Sequence, residues 1–179
     1  MPTSKKTAAK APKKSATATA KSASAALEGK KAPAFELFDA GGKAVALKDL
    51  IGANNLVLYF YPKDMTPGCT IEACSFRDNI ASIKALGAIV VGISADSTDS
   101  HGKFIAKHGL NFPLLADPGL KVCKLYGVYK MKSLYGRQFM GIERTTFIID
   151  KAGVVRRVFP KVKVSGHTEE VIAGLKEIA

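Results

Sequence analysis

The run LYFYPKDMTPGCTIEACSFRD, residues 58–78, constrains the fold more than any other part of this 179-residue chain. An apolar, aromatic strand is cut at Pro62, a short polar loop follows, and Cys69 falls where a helix should begin. The unpaired N–H groups and dipole of a helix N-terminus stabilise an anion, and thiolate is the reactive form of cysteine. The segment therefore reads as a strand–loop–helix unit presenting a nucleophile.

The flanking pattern places that unit in a larger sheet. Residues 35–38 and 44–47 flank Asp39, Gly41 and Gly42 as a short hairpin, and residues 56–61 are continuously apolar, as in a strand buried on both faces. Residues 69–86 carry helical apolar spacing up to Gly87, residues 88–94 form a second buried strand, and residues 97–108 form a helix closed by Gly109. A short strand at 112–115, a short helix at 118–126, a hairpin of 145–149 with 154–159, and a docking helix at 168–178 complete the order. The expected class is α/β and thioredoxin-like, a mixed central sheet with helices on both faces.

Composition divides the chain in two. Of the net charge of +12, six lysines belong to residues 1–26, which contain no acid, no aromatic residue and no branched aliphatic residue. Such a segment buries too little apolar surface to offset its ordering entropy, so residues 1–28 are expected to be a disordered Lys/Ala-rich tail and residues 29–179 the folded domain. The tail has three open readings: a solubilising extension, a non-specific nucleic-acid tether acting by counterion release, or an organellar targeting peptide. Three cysteines, an odd number without C-x-x-C spacing, do not fit a secreted disulfide framework or a common zinc half-site. A cytoplasmic location is expected, with no metal and no cofactor. No apolar run approaches the ~18 residues of a membrane-spanning helix.

Pro62, Thr66, Pro67 and Cys69 form P-x-x-x-T-P-x-C, and YGRQFMGIERTTFIID occupies residues 135–150. Together these blocks strongly resemble the peroxiredoxins, specifically the bacterioferritin comigratory protein or peroxiredoxin Q class, over residues 29–179. The resemblance implies a thiol peroxidase that reduces hydrogen peroxide and organic hydroperoxides, with Cys69 as the peroxidatic cysteine. It also implies that the Thr66 hydroxyl, the backbone N–H groups of Gly68 and Cys69, and the Arg144 guanidinium hold the peroxide, while Pro62 and Pro67 shape and shield the loop. Taken singly, the prolines fit an ordinary strand end and helix start, Thr66 an ordinary cap, and Arg144 an ion pair with Glu143 or Glu72.

Cys74 follows Cys69 by five residues, which advance a helix by about 7.5 Å and turn it by roughly 140°. Bridged cysteines need Cα atoms about 4.4 to 6.8 Å apart, so the two thiols cannot join while the helix is intact. The resemblance implies that Cys74 resolves a Cys69 sulfenic acid to an intramolecular disulfide, recycled by thioredoxin or a similar dithiol, in a monomeric enzyme. The alternative is that Cys74 is a small buried hydrophobe. Cys123 reads as a core thiol, and His101, His108 and His167 as surface or capping residues. Tyr126, Tyr129, Met131, Tyr135 and Met140 read as core packing or as the border of an apolar entrance.

Overall fold

The structure, a computed structural model, describes residues 22–179. Most of the lysine-rich tail, and with it every reading of that tail, lies outside the described residues. Residues 22–28 differ from expectation: they form a turn that includes a 3₁₀ segment, Ala25–Leu27, and they pack on the domain. Ser24 is fully buried, Gly29 N–H donates to Val155 O, and Val158 N–H donates to Glu28 Oε2. A Cβ at Gly127, whose φ is +69°, would lie 2.7 Å from Ala23 Cβ, so glycine there lets this segment seat. Composition does not reveal it because most of the anchors are backbone groups, the small Ser24 and the Glu28 carboxylate, with Leu27 the one branched apolar side chain that packs on the core.

Nine strands and six helices follow, and a seven-stranded mixed sheet forms the centre. The strands are β1 (Glu36–Asp39), β2 (Ala44–Ala46), β3 (Asn55–Phe60), β4 (Ala88–Ser94), β5 (Leu114–Ala116), β6 (Tyr129–Leu134), β7 (Arg137–Ile142), β8 (Thr145–Ile149) and β9 (Val155–Phe159). The helices are α1 (Leu47–Leu50), α2 (Pro67–Asp78), α3 (Ile80–Ala85), α4 (Thr98–His108), α5 (Lys121–Leu125) and α6 (His167–Ile178). The order across the sheet is β2-β1-β5-β4-β3-β8-β9, with β3, β4 and β5 parallel and the remaining pairings antiparallel.

β3 is buried at every position because helices cover both faces of the sheet. Its side chains alternate: Val57 and Tyr59 join the core beside α2, α4 and α6, whereas Leu56, Leu58 and Phe60 join the core beside α1 and α5. Tyr59 fits only because Gly92 on neighbouring β4 has no Cβ, which would lie 2.8 Å from the tyrosine ring.

Two expectations change. The helix read across residues 69–86 is two helices, interrupted at Asn79. The Asn79 backbone N–H bonds the Ser75 and Phe76 carbonyls while its side-chain amide takes Ser75 O at 2.9 Å, a local competition that stops α2. Residues 129–142 form a separate two-stranded hairpin that the sequence reading did not assign. Its turn places Tyr135 at φ 50° and Gly136 at φ 75°, and a bulky residue at the first left-handed position is not a usual hairpin signal. Among the described residues, no helix is long and apolar enough to cross a membrane.

Candidate active site

The parallel strands deliver their carboxyl ends to one edge of the sheet, where open α/β sheets form their crevices. β3 ends there at Phe60, Tyr61 follows, and the loop 62–66 leads into α2. Because β8 runs antiparallel to β3 with Phe60 opposite Thr145, the residue preceding β8 reaches the same edge. That residue is Arg144, and this register is why a side chain 75 positions from Cys69 meets it.

Cys69 lies in the first turn of α2 and is buried. Pro67 starts the helix, where its missing N–H costs nothing. Thr66 is the N-cap residue, but its hydroxyl does not cap; it donates to Lys63 O at 2.9 Å, which leaves its lone pairs free to accept. Arg144 Nη2 donates to Cys69 Sγ at 3.3 Å. Gly68 permits that approach, since a Cβ there would lie 3.2 Å from the same Nη2. Helix N-terminus and guanidinium thus converge on one sulfur. Pro62 stands with Arg144 in the wall of an open cleft of about 470 Å³, whose other lining includes Lys130, Lys132, Glu143 and Lys161.

Glu72 is the residue whose part the sequence reading understated. From the sequence it is only an alternative partner for Arg144, yet Arg144 bonds Glu72 through Nη1 and the sulfur through Nη2. Glu143 bonds Lys130 Nζ instead, at 2.7 Å. Glu72 is almost fully buried, with Oε1 lacking a partner among the described residues, and burial raises its carboxyl from 4.5 to about 7 against the opposing pull of Arg144. Its signal in the sequence is position: three residues after Cys69, on the same helix face. The Tyr59 hydroxyl, also buried and without a partner among the described residues, is held well above its ordinary pKa by burial first and then by Glu72 and Cys69.

Cys74 is half-buried on α2, and all three cysteines are free thiols. Ser75 beside it bonds Thr168 of α6 at 2.7 Å, and Phe76 is fully buried against Tyr59. The C-terminal half of α2 is therefore tied to the body more firmly than its exposed start at Pro67. Cys123 is fully buried in the opposite core, and burial, then Asp117, pushes its thiol up in pKa.

The histidine expectation needs correction at two positions. His101 is fully buried, bonding Asp64 Oδ2 at 2.7 Å and Leu115 O at 3.0 Å. His167 is also buried and bonds Thr146 Oγ1 at 2.8 Å. Both sit near helix starts whose polar residues turn inward, which linear spacing does not reveal. Asp64 belongs to the active-site loop, and burial, which would raise its pKa, is outweighed by hydrogen bonds from His101, Tyr61 and Ser100 that hold it low. Its backbone N–H donates to Asp96. Asp64, Asp96 and His101 bring ligand-type atoms within 4.8 Å of one another, but those atoms are engaged by protein partners, and the cluster locks loop 62–66 to α4 and to the end of β4.

Comparison with known proteins gives the family of the chain. The AhpC/TSA family model matches residues 28–158. Peroxiredoxin Bcp of Bacillus subtilis is 48% identical over 151 residues, covering 84% of this chain and 96% of that protein. Peroxiredoxin Bcp of Escherichia coli is 45% identical over 148 residues, covering 83% and 94%. The structure of Xanthomonas campestris peroxiredoxin Q superposes with a TM-score of 0.76 at 43% identity, covering 80% of this chain and 90% of that one. A second structure, of the Xanthomonas campestris bacterioferritin comigratory protein and concerned with its alkyl peroxide reduction, gives 0.76 at 42% identity over the same shares. The chain belongs to the AhpC/TSA family and is a peroxiredoxin of the Bcp and peroxiredoxin Q class, a thiol-based peroxidase.

Proposed function

We propose that Cys69 is the peroxidatic cysteine of this peroxidase and Cys74 its resolving cysteine. The Cys69 thiolate attacks one peroxide oxygen; the S–O bond forms as the O–O bond breaks, and the departing hydroxide or alkoxide takes a proton to leave as water or alcohol. Arg144, the N–H groups of Gly68 and Cys69, and the Thr66 hydroxyl orient the peroxide, with Thr66 accepting from its O–H. Pro62 and Pro67 limit the loop's other donors. The Cys74 sulfur then attacks the sulfenic acid, water leaves, and a disulfide forms within the chain. Thioredoxin or a similar dithiol returns both thiols, and the enzyme works as a cytoplasmic monomer.

The observation that carries this reading is the 3.3 Å contact between Arg144 Nη2 and Cys69 Sγ at the first turn of α2. It joins a fixed positive charge and free helix N–H groups at one buried sulfur, the setting that charge development on a breaking peroxide requires. Cys74 is favoured over Cys123 because the latter is fully buried on the other side of the sheet. The test is hydrogen peroxide consumption with thioredoxin, thioredoxin reductase and NADPH. Cys69→Ser should abolish turnover, and Cys74→Ser should form one sulfenic acid but fail to recycle. Unchanged turnover in Cys69→Ser would overturn the assignment.

A further inference from the structure

Among the described residues nine large apolar side chains are exposed, and five of them, Met131, Leu134, Tyr135, Phe139 and Met140, lie on the β6–β7 hairpin. The hairpin is its own two-stranded sheet outside the central one. Its tip carries Tyr135, 97% exposed, on the left-handed turn with Gly136. Cross-strand pairing sets Lys132 opposite Phe139 and Leu134 opposite Arg137, so one face alternates apolar and basic groups. Residues 129–142 contain three basic residues and no acid. At the hairpin's base, the cleft beside Arg144 adds Lys161 to these, while Lys130 Nζ is paired with the Glu143 carboxylate at 2.7 Å and Lys132 Nζ donates to Ile142 O at 2.9 Å.

This combination selects among occupants. A second copy of the same face would bring like charges together, so self-association is opposed. A convex apolar fingertip needs a matching concavity in a protein partner, whereas a bilayer deforms to receive it. Tyrosine and apolar side chains belong at the headgroup boundary, and each Lys or Arg near an anionic surface adds attraction.

We propose that the β6–β7 hairpin is a docking surface for an anionic lipid bilayer. Leu134, Tyr135 and Phe139 enter the headgroup region, and Arg137 and Lys161 meet lipid phosphates. The cleft that reaches Arg144 then opens close to the membrane surface. The proposal does not depend on which cysteine performs which step.

The experiment is co-sedimentation of the full chain with phosphatidylcholine vesicles, with and without phosphatidylglycerol. Binding is expected only with phosphatidylglycerol. The double variant Leu134→Ser/Phe139→Ser and the single variant Arg137→Glu should each weaken partitioning by about tenfold or more. Both should consume hydrogen peroxide at the wild-type rate, which separates a docking defect from a folding or catalytic one. The proposal is overturned if wild type ignores phosphatidylglycerol, or if both variants bind as tightly as wild type, since the six lysines of residues 1–21 alone would then hold the vesicle. It is equally overturned if the variants keep vesicle binding and lose only turnover with a protein dithiol.

Discussion

Arg144 spans Glu72 and Cys69 with two nitrogens of one guanidinium, Nη1 on the carboxylate and Nη2 3.3 Å from the sulfur. The buried carboxylate fixes the plane of the fork, and the fork fixes the direction from which positive charge meets the thiol. Lysine has no such plane. Arg144→Lys should therefore fold but lower the rate of peroxide-driven Cys69 oxidation by about 10²-fold or more, the usual effect of losing one oriented transition-state donor. Because the chain has no tryptophan, mass spectrometry of trapped sulfenic acid against time is the suitable readout.

Gly68→Ala tests the same contact from the other side. The added methyl would stand 3.2 Å from Arg144 Nη2, tight enough to displace the guanidinium by a few tenths of an ångström. Helix propensity alone would make alanine neutral or stabilising here. The expected outcome is unchanged thermal stability with peroxide reactivity reduced by roughly tenfold. Full reactivity would show that the close approach is unnecessary.

Glu72 gives stability a pH dependence of defined sign. Its carboxyl is raised in the folded state from 4.5 to about 7, so its contribution is complete below the unfolded value and is lost as pH climbs through the folded value. Between roughly pH 5 and pH 8, wild type should lose on the order of 2 kcal/mol of unfolding free energy relative to Glu72→Gln. Denaturant titrations of both proteins across that range check it. Parallel curves would mean that Glu72 stays ionised throughout.

Asp64 works in the opposite direction. Its carboxylate accepts from Tyr61, Ser100 and His101 and is held low, so its stabilisation is present above the unfolded carboxyl range and fades as pH falls through the lowered value. Asp64→Ala leaves buried His101 without its carboxylate and should cost about 3 kcal/mol or more. Thermal melts at neutral pH measure this loss, and acid melts should show the variant losing less than wild type as the carboxylate protonates.

The parts legible from the sequence are those written in local pattern. The β3 apolar run, a helix start close to Cys69, which the structure sets two residues earlier at Pro67, the β8–β9 hairpin and the amphipathic α6 all follow from spacing and turn residues. Glu72 and His101 did not, because the role of a buried polar side chain is recognisable only with its partner in place, and those partners, Arg144 and Asp64, are distant in sequence. The break at Asn79 escaped for another reason: apolar spacing continues through it, and only the side-chain amide's competition for Ser75 O ends the helix. The β6–β7 hairpin lacks both a conventional turn pair and a buried face, so neither of the usual strand signals is present.

In the proposed cycle α2 is ordered for peroxide reduction and, since Cys69 and Cys74 cannot join in an intact helix, partly unwound for resolution. Its start is held by Arg144 at Cys69 and Glu72, while its later half is tied to α6 through Ser75 and Thr168. Oxidation with one equivalent of hydrogen peroxide, followed by alkylation and peptide mass spectrometry, tests this directly. The proposed cycle yields a Cys69–Cys74 disulfide with Cys123 alkylated. A bridge that includes Cys123, or Cys69 left as sulfenic or sulfinic acid beside an alkylated Cys74, would contradict it.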